Sequence, residues 1–106
     1  MSDEFDPLLA GYLERLEDCY RTLRGEAAST YRGRRRSGFT TAGYHESSFL
    51  YGQASALAGL LELPIYVVPT YGELRSAAEE DARSRFLADV TERGAAVFEH
   101  PGGERR

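Results

Sequence analysis

The chain has no lysine and no tryptophan, one cysteine, one methionine and two histidines among its 106 residues. Each scarcity removes something. A single cysteine, Cys19, cannot close an internal disulfide or build a cysteine-rich zinc site, and that usage suits a reducing, cytoplasmic setting. His45 and His100 show neither HExxH nor CxxC spacing, so no metal and no other cofactor is expected. Gly33 and Gly38 lack the Lys-Ser/Thr that completes a phosphate-binding loop. The most apolar stretch, FLYGQASALAGLLEL, carries Gln53 and is too short to span a membrane. No basic-then-apolar leader precedes it; the chain opens MSDEFDP.

The composition, 42% hydrophobic and 28% charged, is that of a globular protein. Residues 1–106 are read as one small domain, which would bury roughly 60–70% of its unfolded surface. All thirteen basic residues are arginine, whose planar fork matches phosphate and carboxylate. Net charge is −4, but unevenly spread. Between 25 and 45, Glu26 stands against Arg32, Arg34, Arg35 and Arg36, a local +3 inside an acidic chain.

Periodicity predicts three helices, at about 7–24, 45–63 and 70–93. In the first, Leu9, Tyr12, Leu16, Cys19 and Leu23 recur at alternating steps of three and four. Asp6 caps it, Pro7 suits its first position, and Gly25 is its expected stop. In the second, Gly52, Ala56 and Gly59 line a strip of small residues beside the apolar face. Thr70 and Glu73 have capping-box spacing at the start of the third, and Gly94 is read as its end. Glu79–Arg83, Asp81–Arg85 and Asp89–Arg93 are acid-before-base pairs that mark a solvated face.

Residues 25–43, rich in glycine and arginine, read as a long flexible loop. IYVV at 65–68, bracketed by Pro64 and Pro69, has strand chemistry, as does 95–99. The expected class is therefore α+β, mainly helical, with at most two short strands and a frayed tail at 101–106.

The basic stretch 31–44 raises the sharpest functional question. Its four arginines have the chemistry to contact phosphates, and Tyr31, Phe39 and Tyr44 to stack on bases, as single-strand binders do. Against that, the chain is acidic overall and no nucleic-acid motif accompanies the run. A helix-turn-helix is disfavoured because Pro69 and the β-branched residues before it delay the next helix until about Thr70. The cluster His45, Glu46, Ser47 and Ser48 cannot form a nucleophile–base pair, since neighbours on a helix point about 100° apart.

The sequence reading is therefore a non-enzymatic protein-binding protein, an adaptor or regulator that associates with itself as a homodimer. Leu9, Tyr12, Leu16, Gly52, Ala56 and Gly59 are the candidate interface. Nucleic acid, gripped by the arginine run, is the alternative partner, and no membrane is expected.

Overall fold

The computed structural model describes residues 6–31 and 39–99. These form three α-helices, α1 (Pro7–Tyr31), α2 (Thr41–Leu60) and α3 (Tyr71–Glu99), with a 3-10 turn at Ile65–Val67. No strand occurs among the described residues. The fold is all-α, and the α+β expectation is corrected.

α1 begins as its sequence dictates. Asp6 Oδ1 accepts the amides of Leu8 and Leu9 at 3.0 and 3.3 Å. The helix does not stop at Gly25, which sits in its middle, but continues seven residues past 24 to Tyr31. The buried stripe explains why: Tyr12, Cys19 and Leu23 are followed at the next step of four by buried Ala27. Burying that turn outweighs the roughly 1 kcal/mol that a mid-helix glycine costs. The expected loop over 25–43 is thus helical at both ends; Phe39 and Thr40 lead into α2, and residues 32–38 lie outside the described residues. So does the tail at 101–106.

α2 starts at a joint made by α1. Glu26 accepts hydrogen bonds from the Thr40 amide at 2.9 Å and the Thr40 hydroxyl at 3.1 Å. Thr40 Oγ1 in turn accepts the Gly43 amide at 2.9 Å, capping the helix. The carboxylate at this N-terminus also suits the helix dipole. Gly43 is buried against Glu26, and a Cβ there would overlap the carboxyl group. At the other end, the Glu62 amide bonds Gly59 O at 3.1 Å and the Leu63 amide bonds Ala58 O at 3.0 Å. These are the two bonds of a Schellman ending, with Leu63 packed back on the core around Ala58. Glu62 occupies its left-handed position at φ 56°, where glycine is the usual residue.

The proline-bracketed IYVV is not a strand. With residues 95–99 helical, no partner strand lies among the described residues, and its backbone bonds close locally. The Val67 amide bonds Pro64 O at 3.0 Å and the Val68 amide bonds Ile65 O at 3.2 Å. The capping box of α3 forms in both directions, Thr70 amide to Glu73 at 2.9 Å and Glu73 amide to Thr70 hydroxyl at 3.0 Å. Gly94 does not end α3, because the alanines after it sustain the helix and no proline intervenes before 101. The expected strand at 95–99 is the last part of this helix.

α1 is the central element. α2 returns antiparallel to it, pairing Tyr12 with Ala54 and Ala58, Cys19 with Ser47, and Glu26 with Thr40. α3 runs parallel to the second half of α1, as Leu23 with Ala78, Arg24 with Asp81 and Tyr31 with Phe86 require. All four buried residues that α2 and α3 contribute to the apolar core are alanines, which permits close helix approach.

Two substitutions test these joints. Glu62→Gly relieves the left-handed backbone and should raise the stability to urea unfolding by about 1 kcal/mol. Gly43→Ala should lower it by about 1–3 kcal/mol, because Glu26 must give up its place at Thr40.

Candidate functional site

Of the basic stretch, Arg32, Arg34, Arg35 and Arg36 lie outside the described residues. The aromatics that accompany them are placed. Tyr31 ends α1 with its ring stacked on Phe86 at 5.6 Å. Phe39 lies beneath the Arg75 guanidinium, 4.3 Å from the ring centroid. One face of each ring is thus occupied within the chain. Tyr44 is more open, meeting Tyr71 edge-on at 6.3 Å and His45 at 6.0 Å.

A groove of about 800 Å³ runs between α1 and α3 over the Tyr31–Phe86 stack. Arg21, Arg24, Arg85 and Arg93 line it, with Asp89. Each guanidinium already faces a carboxylate of its own chain. Arg21 meets Glu17 at 2.8 Å, Arg85 and Arg24 share Asp81 at 3.1 and 3.4 Å, and Arg93 meets Asp89 at 3.0 Å. The groove is therefore charge-compensated, and an anion entering it has to displace those pairs. Burial alone would push the Asp81 carboxyl up, but Arg85, Tyr20 and Arg24 together hold it below its ordinary value. Conversely, burial and then the charge of Asp81 raise Tyr20. The sequence showed the pairs within α3 but not the groove, which exists only through the register of α1 against α3.

The ion pairs differ from expectation at one place. Arg83 turns to Glu80 at 3.8 Å, because Arg75 takes Glu79 at 3.4 Å.

The cluster at the start of α2 is dispersed around the helix. His45 and Glu46 are exposed, while Ser47 is wholly buried. The Ser47 hydroxyl donates to Tyr44 O at 3.1 Å and shares a 2.7 Å bond with Tyr71 Oη. Its carbonyl accepts the Cys19 thiol at 3.3 Å. Nearby, Tyr51 Oη donates to Pro69 O at 2.7 Å. Ser47 and Tyr71 thus tie the helices together and face no solvent cleft. Among the described residues, no group of three or more histidine, cysteine or acidic side chains is placed to hold a metal. No described helix is long and apolar enough to cross a membrane.

The residues expected at an interface fall on two sides. Tyr12 is buried against α2, and Leu16 packs beside it. Leu9 remains exposed on the first turns of α1. Gly52, Ala56 and Gly59 are exposed on the side of α2 turned away from α1, and a Cβ at either glycine would meet nothing within 4 Å. Beside them stand two large apolar side chains, Phe49, 65% exposed, and Leu60, 69% exposed. Ile65 and Tyr66, at 89% and 85%, follow the end of the helix. Phe49, Ala56 and Leu60 share one face by their spacing of seven and four. Between Ser47 and Leu61 the chain carries no Asp, Glu, Arg or His. This open side of α2 is the candidate interaction surface of a three-helix, all-α protein.

No family model, curated protein or solved structure matches this chain. The assignment of function therefore rests on its own surface.

Two titrations follow from these placements. Asp81 has a folded value below its ordinary 3.8. Its contribution to stability is intact above that value and is lost as the pH falls through the lower folded one. Acid unfolding of Asp81→Asn should accordingly show less pH dependence below pH 4 than that of the wild type. Burial pushes the Cys19 thiol from 9.0 up to about 11. Its contribution is complete below pH 9 and declines as the pH rises toward 11. At pH 8 a disulfide reagent should leave the native thiol intact and titrate it once the chain is unfolded.

Proposed function

We propose that this chain is a small non-enzymatic protein-binding module that works by associating with itself. The observation that carries the reading is the open side of α2: a helix face without Asp, Glu, Arg or His between Ser47 and Leu61, on which Phe49 and Leu60 are exposed, with Ile65 and Tyr66 exposed just beyond the helix. Single exposed apolar residues are ordinary, but a contiguous apolar face on one element marks an interaction site. Gly52 and Gly59 strengthen the reading. Each weakens the helix by roughly 1 kcal/mol relative to alanine, yet no close neighbour in the chain requires it to be small. A helix from outside the chain supplies that requirement.

Nucleic acid is the weaker reading. It needs free rings beside the arginine run, and Tyr31 and Phe39 are each engaged on one face by Phe86 and Arg75. The arginines lining the α1–α3 groove are likewise paired with carboxylates.

Light scattering coupled to size exclusion tests self-association directly. At micromolar concentration the mass should be twice 11.8 kDa. Ala56→Glu should return it to the single-chain value with helical ellipticity unchanged, because glutamate is nearly as good a helix former and the position is solvent-facing. A wild-type mass of 11.8 kDa throughout the micromolar range removes the proposal.

A further inference from the structure

We infer that the occupant of the open α2 face is the same face of a second copy, with the two α2 helices antiparallel and the two-fold axis at Ala56. This rests on the self-association proposed above and specifies its geometry.

Charge selects the partner. Any protein presenting an acidic or basic side chain to residues 47–61 would bury it without a counter-charge, which is strongly unfavourable. A second copy brings a stretch of the same length equally free of Asp, Glu, Arg and His, with Glu46 and Glu62 just outside its two ends. Area is adequate as well. Phe49 and Tyr66 each carry roughly 150–250 Å² of surface, of which 65% and 85% remains to be buried by a partner. With Leu60, Ile65 and Val67, all more than half exposed, they bring the face toward the ~800 Å² per partner of a standard interface.

The distribution of large and small residues sets direction and register. The small residues Gly52, Ala56 and Gly59 occupy the middle of the face, Phe49 stands toward its N-terminal end, and Ile65–Val67 lie past its C-terminus. Only antiparallel helices bring Phe49 of one copy beside the Ile65–Val67 turn of the other. With the axis at Ala56, Leu60 of each copy lies over Gly52 of the other and fills the open space there. An axis between Ala56 and Ser55 would set Gly52 against Gly59 and leave a void, which forfeits the contacts that hold two surfaces together.

Oxidative cross-linking tests this arrangement, since the one native thiol, Cys19, is buried and its ionisation is suppressed. Ala56→Cys places two new thiols at the axis and should form a covalent dimer on mild oxidation. Ala42→Cys, on the exposed side of the first turn of α2, should not, because an antiparallel mate lies far from it. Cross-linking of both variants overturns the inference in favour of parallel helices. A chain of doubled mass in which neither cross-links overturns it while leaving self-association standing. A single-chain mass removes both. The register has a second test that needs no thiol. Gly52→Leu should weaken dimerisation at least tenfold, and adding Leu60→Ala should recover most of the loss. Failure of the second change to rescue the first overturns the pairing of these positions.

Discussion

The hydrogen bonds around Ser47 are the constraint to which the three helices are fitted, for this fully buried residue is bonded to α1 through its carbonyl and to α3 through its hydroxyl. Cys19 donates from one side and Tyr71 bonds from the other, with the rings of Tyr44 and Tyr51 set edge-on around Tyr71. A buried hydroxyl without a partner costs free energy of the order of 1–3 kcal/mol, so the arrangement is all or none. It fixes where along α2 the other two helices cross. The apolar core that accompanies it is thin: its buried members are one leucine, one thiol, one tyrosine and one alanine from α1, facing alanines of α2 and α3.

That economy has a consequence for the surface. Alanine faces let α2 and α3 approach α1 closely, with Leu50 and Leu57 packed beside them, and they leave Phe49 and Leu60 on the far side of α2. Phe49 and Leu60 are not spare core residues, since the helix spacing that buries Ala54 and Ala58 necessarily turns them outward. Core and candidate interface are two sides of one helix, set by the same period.

Much of this was legible in the sequence, and the failures have definite physical sources. The starts of α1 and α3 were, because a cap is a local interaction: Asp6 before Pro7, and Thr70 with Glu73, act over three or four residues. The ends were not. Gly25 and Gly94 look like stops, yet the cost of a helical glycine is small beside the burial of Ala27 or the propensity of an alanine run. The segment 65–68 misled for a related reason: β-branched residues favour a strand only where another strand can pair with them. For the site, the strip Gly52, Ala56 and Gly59 was visible as a pattern, and Tyr12 and Leu16 were grouped with it because periodicity alone does not say which stripe is covered by the chain itself. The groove between α1 and α3 had no signal within either helix.

α3 outlasts the helix it packs on. Phe86 meets Tyr31, the final residue of α1, and residues 87–99 continue for about 20 Å more at ~1.5 Å per residue. A detached helix of that length would scarcely form in water, because its first turn immobilises several dihedrals for one hydrogen bond. Here the first turn is inherited from the packed half, so each further residue only propagates it. The end of α3 behaves as a zipper anchored at Phe86, opening turn by turn without disturbing Ser47. This geometry implies graded exchange of the backbone amides along it, and a loss of helical ellipticity on warming ahead of the cooperative transition.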